Sequence, residues 1–358
     1  MGTRNPAELL DDIVAFLKRH IAYPDEHAAH VHALWIMHTH LMDEWESTPR
    51  LAFLSPEPGS GKTRALELTE LLVPRPIESV NASPAYIFRK VNDPDGLPTI
   101  LYDEIDTVFG PKARENEELR GLLNAGHRKG ATAGRCTIRG KEIVTEEFPA
   151  YSAVAMAGLG NLPDTILSRS ILIKMRKRSP DEKVEPYRRR EHAPIGHALR
   201  NELAKWAESI RGSIMSVPPV MPDEVTDRNA DVWEPLLAVA DAAGGHWPET
   251  ARVAAVTYVT RSAGEAPSIG VNLLKDIREI FGTLDRMSSQ DLVMRLNAKP
   301  EAPWAELEGR PLNQRGLSAI LKQYDIAPKP MRIGTAMVRG YERSDFADAW
   351  KRYLPASS

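Results

Sequence analysis

The chain has 358 residues, 42% hydrophobic and 27% charged, which is the balance of an ordinary globular protein with room for two or three domains. A net charge of −3 argues against wholesale coating of nucleic acid, though not against a local basic channel, and the single cysteine, Cys136, excludes an internal disulfide and a cysteine-based zinc cluster. The start of the chain has no basic-then-apolar leader and no window is apolar for long enough to span a bilayer, so a cytoplasmic protein without a membrane segment is expected.

Asn5-Pro6 has the form of a helix cap followed by proline at the first helical position, and Leu9, Leu10, Ile13, Phe16 and Leu17 then recur at helical spacing. Tyr23-Pro24-Asp25 breaks that helix. A second one runs through Ala28, Val31, Leu34, Trp35, Met37 and Leu41 and carries His27, His30, His32, His38 and His40. The pairs His30/His32 and His38/His40 point apart on a helix, and no carboxylate stands at a zinc-like spacing, so packing or surface roles are expected rather than a metal site. This helical pair, 1–47, is predicted to form a collar beside the next domain.

The stretch 51–66, LAFLSPEPGSGKTRAL, sets the chemistry. An apolar strand meets a loop of Pro and Gly, the loop ends in Gly61-Lys62-Thr63, and a helical pattern begins. That order cradles phosphates: Pro58, Gly59, Ser60 and Gly61 bring backbone close to the ligand, Lys62 reaches the β- and γ-phosphates, and the Thr63 hydroxyl can hold Mg²⁺. The usual pattern opens on glycine, where this chain has Pro56. A helix over 63–73, a short strand near 76–81 and a helix opened by Ser83-Pro84 follow. In 99–109, TILYDEIDTVF, an apolar strand ends in Asp103-Glu104 and then Asp106. Ligands sit at the carboxyl ends of parallel strands, so Asp103 is placed to hold Mg²⁺ and Glu104 to orient and polarise an attacking water. A solvated acidic turn is the plain alternative for these acids, and the phosphate loop upstream argues against it.

Here the chain resembles the P-loop ATPases of the AAA+ and superfamily III helicase kind, with SPEPGSGKT as Walker A and ILYDEID as Walker B. The resemblance covers roughly 51–178. It implies an α/β, RecA-like core over 48–178, an ATP–Mg²⁺ cofactor, and a homo-oligomeric ring, expected to be a hexamer, with nucleotide at each subunit interface. In 127–148, alternating residues around Arg139-Gly140-Lys141 predict a β-hairpin with a basic tip. In the family this insertion grips DNA in the central pore, which points to Arg135, Arg139 and Lys141 as phosphate contacts. The strand 151–158 should end near a γ-phosphate sensor, for which Asn161 is the candidate although it lies further along than the family pattern prefers. Arg169, after Ser168, matches the arginine supplied to a neighbour's γ-phosphate, with Arg128 in reserve.

The charged run 174–190 is predicted to be a largely solvated linker, and helices over 195–210, 227–243, 248–261 and 269–284 to form a lid domain, 179–286. In the family a lid arginine touches the nucleotide, and Arg228 is the candidate. The final part, 287–358, reads as helix, helix, then a hairpin over 331–341, which resembles a winged helix. Its Lys322, Lys329, Arg332, Arg339 and Arg343 are expected to face DNA phosphates. The whole order resembles helicase-like proteins of phages and integrated elements. A ring-forming motor that translocates on or remodels DNA is therefore expected. A non-motor switch, such as a helicase loader or initiation factor, would share every ATP-site residue, and a small-molecule P-loop phosphotransferase would want an arginine-rich lid close to the core.

Overall fold

The computed structural model describes residues 4–78, 84–109, 117–139, 142–160, 162–264, 268–299, 302–334 and 336–354. Contacts divide the chain into two compact units, Met1–Ala263 and Gly264–Ser358.

The first unit opens with α1 (Pro6–His20) and α2 (Glu26–Thr39). Asn5 caps α1 by accepting from the Ala7 N–H at 3.0 Å, and Asp25 does the same for α2 through Ala28. Next come β1 (Arg50–Ser55), α3 (Lys62–Leu72), β2 (Pro76–Glu78), α4 (Pro84–Val91), β3 (Thr99–Tyr102), α5 (Asp106–Phe109) and α6 (Glu117–Ala125). A hairpin follows, β4 (Thr132–Arg139) and β5 (Glu142–Pro149), then β6 (Ala153–Leu159), α7 (Asp164–Leu167) and β7 (Ser170–Lys174). Three helices complete the unit: α8 (Arg189–Ile210), α9 (Asp227–Ala243) and α10 (Trp247–Gly264).

Five strands form one parallel sheet in the order β2-β3-β6-β1-β7. A parallel sheet is covered on both faces, so its central strands are apolar throughout rather than alternating. All six residues of β1 are buried. Leu51 and Phe53 enter one hydrophobic cluster with α1, α2, α3, α8, α9 and α10, while Ala52 and Leu54 enter another with α4, α5 and α6. The architecture is thus a mixed α/β fold around a parallel five-stranded sheet, compatible with a RecA-like core. The cluster on the α3 face is continuous across the N-terminal helices, the sheet and α8–α10, with no break at residue 47 or 178.

The histidines of α2 pack inside this cluster. His32 bonds the Tyr23 hydroxyl at 2.6 Å and Thr69 Oγ1 at 2.8 Å, His38 bonds Thr48 Oγ1 at 2.9 Å, and His40 bonds the Leu72 carbonyl at 2.8 Å. The segment after β7 is largely solvated, as expected, with Arg176, Lys177, Arg178, Lys183 and Glu185 exposed, and it also makes contacts within the first unit. Glu185 pairs with Arg19 at 2.5 Å, Arg189 with Glu70 at 2.9 Å, and Arg64 lies over the Tyr187 ring at 4.5 Å. It is strapped along α1 and α3.

The second unit holds α11 (Ile269–Phe281), β8 (Arg286–Ser288), α12 (Ser289–Asn297), α13 (Gln314–Leu321), β9 (Lys329–Ile333), β10 (Ala336–Glu342) and α14 (Ala347–Tyr353). Its antiparallel sheet has the order β8-β10-β9. Helix α11, grouped with the lid in the sequence, puts Leu273, Leu274, Ile277 and Phe281 into this unit's core beside Trp304, Tyr341 and Phe346.

Candidate functional site

The phosphate-loop residues hang from the carboxyl end of β1. Pro56 and Pro58 fix their own φ and offer no N–H. The Ser55 hydroxyl donates to the Glu57 carbonyl at 2.6 Å and accepts from Ser60 Oγ at 2.9 Å and Lys62 Nζ at 2.5 Å. Gly59 and Gly61 have φ of +76° and +84°, a backbone region that resists side chains, and Gly61 caps α3. Lys62 is only 9% exposed, yet among the described residues its ammonium bonds neutral oxygens alone: Ser55, Ser60 at 3.2 Å and the Glu57 carbonyl at 3.4 Å. Burial pushes its pKa down, while Asp103 and then Asp106 pull it back up. A buried cation held by neutral partners is under-compensated. Together with a loop of Gly backbone at a helix N-terminus, it fits a polyphosphate.

The acids follow β3, whose carboxyl end lies on the same edge of the sheet, with β6 between it and β1. Thr63 Oγ1 donates to Asp103 Oδ2 at 2.9 Å, joining the start of α3 to the end of β3. A hydroxyl and a carboxylate meeting at an open edge suit a hard divalent cation that draws its remaining oxygens from water and phosphate. Glu104 is exposed and has φ +56°, a left-handed conformation rare for a residue with a β-carbon. Such strain persists only where neighbours hold it. The Glu104 N–H donates to Asp103 Oδ1 at 2.9 Å, and the Glu104 carbonyl accepts from the Thr107 N–H at 2.9 Å. The Ile105 N–H donates to the Ala157 carbonyl at 2.9 Å, and Asp106 Oδ1 accepts from the Leu159 N–H at 2.9 Å. Gly158 leaves room for this latch: a β-carbon there would lie 2.7 Å from Ile105 Cγ2 and 2.8 Å from Asp106 Oδ1. Sequence reasoning missed Asp106 and Gly158 as positioning residues. The third acid of DEID was the available signal.

The arginines gather elsewhere. Glu46–Thr48 precede β1, His127 and Arg128 follow α6, and Arg169 precedes β7, so together they meet at the amino ends of the strands. With Arg228, Asp231 and Glu234 they line a pocket of about 310 Å³. Arg169 Nε donates to His127 Nε2 at 3.2 Å, and Arg228 donates to Ser168 Oγ at 3.1 Å. Burial, and then Arg228, lower the pKa of Arg169. The six residues of β1 separate this pocket from the phosphate loop by about 20 Å. Arg228, read from the sequence as a lid contact to the nucleotide, is therefore not brought to the phosphate loop of its own chain, and Arg128 and Arg169 share its position.

The hairpin expected over 127–148 is present, with Arg139 in register with Glu142 and Arg135 with Glu146. Each basic position thus faces an acidic one across the ladder. Lys141 and Asn161 lie outside the described residues. In the second unit Arg332 and Arg339 are exposed on the hairpin, where Met337 is opposite Arg332. Arg315, Lys322 and Arg339 line a cleft of about 410 Å³ with Gln314, Ser318 and Pro328, and none of the described residues lining it is acidic. Lys329 is committed otherwise: Nζ bonds Glu342 and Asp345, each at 2.8 Å, and these two hydrogen bonds raise its pKa. Arg343 is exposed and donates to the Gly282 carbonyl.

A mixed α/β core with this edge geometry defines the class. The chain belongs to the family described as "Protein of unknown function (DUF3631)", which matches residues 174–353 and so leaves the phosphate loop and the acids outside the matched region. It is 42% identical over 184 residues to "Uncharacterized 28.9 kDa protein in xis 5'region" of Saccharopolyspora erythraea, a match spanning 51% of this chain and 69% of that protein. Among solved structures it has a distant likeness to "The A form apo structure of NrS-1 C terminal region-CTR", with a TM-score of 0.42 and 11% identity, covering 94% of this chain and 75% of the other. Among the described residues no helix is long and apolar enough to cross a membrane.

Proposed function

We propose that this chain is a Mg²⁺-dependent ATPase of the AAA+ and superfamily III kind that assembles into a ring and translocates on or remodels DNA. The observation that carries the reading is the contact from Thr63 Oγ1 to Asp103 Oδ2, formed beside the under-compensated Lys62. ATP with Mg²⁺ would supply the anionic phosphates and the phosphoanhydride bond to be cleaved. The chain's own parts are then distinct. Pro58 stiffens the loop, and the backbone of Gly59, Ser60 and Gly61, with Lys62, binds and neutralises. Thr63 and Asp103 hold the metal. Glu104 orients a water and draws on its proton.

Arg169, Arg128 and Arg228 stand on the opposite edge of the sheet from their own phosphate loop, so a triphosphate they meet belongs to another copy. This supports a ring, expected to be hexameric, with arginine supplied in trans. The cleft around Arg315, Lys322 and Arg339, with no acid among the described residues lining it, supports DNA as the partner, on a winged-helix-like second unit with Arg332 alongside. The hairpin of Arg135, Arg139 and Lys141 would add pore contacts.

Glu104→Gln tests the reading. The variant is expected to bind ATP as the wild type does and to release no phosphate, while wild-type hydrolysis rises on adding single- or double-stranded DNA. Full turnover in the variant would refute the site, and indifference to every DNA would refute the partner.

A further inference from the structure

The phosphate loop is flanked on its outer side by the segment that continues edge strand β7. Pairing of β1 with β7 reaches Leu54 and Lys174, and the Met175 N–H extends it by donating to the Leu54 carbonyl at 2.7 Å. The extended chain then runs alongside the loop. A β-carbon on Gly61 would lie 3.7 Å from Met175 Cε, and one on Gly59 would lie 3.8 Å from Lys177 Cε. Met175 and Lys177 are two residues apart, so in an extended segment they share a face, and that face is turned to the loop. Arg176, on the other face, is engaged by Glu182 at 3.1 Å. Lys177 is exposed and makes no ion pair among the described residues. Lys177 Cε thus stands beside the place a Gly59 side chain would take, and its ammonium is one bond further along.

We infer that Lys177 is a second cationic contact for the bound polyphosphate, made in cis by the strand extension after β7. This deepens the ATPase reading and rests on it. Among the described residues the phosphate loop of a single chain has Lys62 as its buried cation, while the three arginines occupy the far edge of the sheet. Lys177 supplies a further charge from the outer side, where the bond from the Met175 N–H to the Leu54 carbonyl holds the course of the extension. The contact is electrostatic and partly solvated, so it adds affinity for phosphate charge rather than for the base.

The test is equilibrium binding of a fluorescent ATP analogue to the full chain, without turnover, for wild type, Lys177→Ala, Lys177→Arg and Lys62→Ala. Lys177→Ala should weaken binding about three- to tenfold and flatten its dependence on salt, as expected for one partly exposed charge–phosphate contact. Lys177→Arg should bind within about twofold of wild type, since the charge is kept. Lys62→Ala should abolish binding. Wild-type affinity in Lys177→Ala, with binding lost in Lys62→Ala, overturns this inference and leaves the ATPase reading intact. No binding by the wild type overturns both. Position 177 is exposed, so thermal melts of both Lys177 variants should match the wild type.

Discussion

Lowering the pH should unfold the first unit through three buried histidines, His32 and His38 of α2 and His40 just after it. Burial holds His32 and His38 at about 3 and His40 at about 4, against 6.5 for the free side chain. His40 and Arg50 oppose protonation of His38, and Arg200 and Arg211 oppose that of His40. For His32, burial alone is the cause, between Tyr23, Thr69 and the Phe53 ring. The folded chain keeps these groups neutral while the unfolded chain takes up protons below pH 6.5. Their stabilisation is therefore fully present above that value and is lost as the pH falls toward 3. At pH 5 the solution lies about 1.5 units below the unfolded pKa and still above the folded ones, so each histidine costs about 2 kcal/mol and the three together about 6 kcal/mol. A folded domain has about 5–15 kcal/mol in all, so this is a large part of it. Urea unfolding followed by tryptophan fluorescence between pH 7.5 and 5 would read the effect, Trp35 and Trp45 being buried in the same cluster. Replacing His32 with Gln should remove about a third of the pH slope. A urea midpoint that stays level from pH 7.5 to 5 would refute the reasoning.

Gly158→Val should destabilise the first unit by about 1–3 kcal/mol, because the added carbons meet Ile105 and Asp106, and should lower ATP hydrolysis by displacing Glu104. Urea unfolding and a phosphate-release assay check the two effects, and an unchanged variant would contradict the latch. Arg169→Ala and Lys62→Ala should each be inactive alone, yet regain activity when mixed. With random assembly about a quarter of the interfaces pair an intact loop with an intact arginine. Failure of the mixture to recover, with both variants folded, would place the arginine's role within its own chain.

The positions of the loop after β1 and of the acids after β3 were legible because the pattern that places them is local. Pro, Gly, Lys and Thr at set offsets between a strand and a helix admit few other readings, and the acids at a strand end follow the same rule. What was not legible depends on which edge of the sheet a residue reaches. Arg228 and Arg169 are far apart in sequence and share one pocket, while Lys177, a few residues past Arg169, belongs to the opposite edge, because β7 carries the chain across between them. The charged run 174–190 is solvated as its composition predicts, while its pairing to Arg19 and Glu70 crosses long stretches of chain and left no local signal. The left-handed Glu104 had no signal at all, since φ is set there by the latch between Asp106 and Leu159 and not by the residue's own preference.

Pro56, which departs from the usual opening glycine, has a physical account in this arrangement. A residue before proline is pushed to extended backbone, which suits Ser55 as the last residue of β1. Two prolines also restrict the unfolded chain, so less entropy is lost on ordering the loop. They remove two N–H donors, at 56 and 58, and the Ser55 hydroxyl organises the loop instead by bonding Glu57, Ser60 and Lys62. Glu57 keeps the one N–H between them, and an unbroken run of donors starts at Gly59, on the side flanked by Lys177. A stiff, donor-poor first half of the loop therefore shifts the anion-holding capacity toward Gly59–Thr63 and the flanking lysine. On that account Ser55→Ala should weaken nucleotide binding more than Pro56→Gly does, and the reverse order in the same binding titration would show that the proline, not the hydroxyl, shapes the loop.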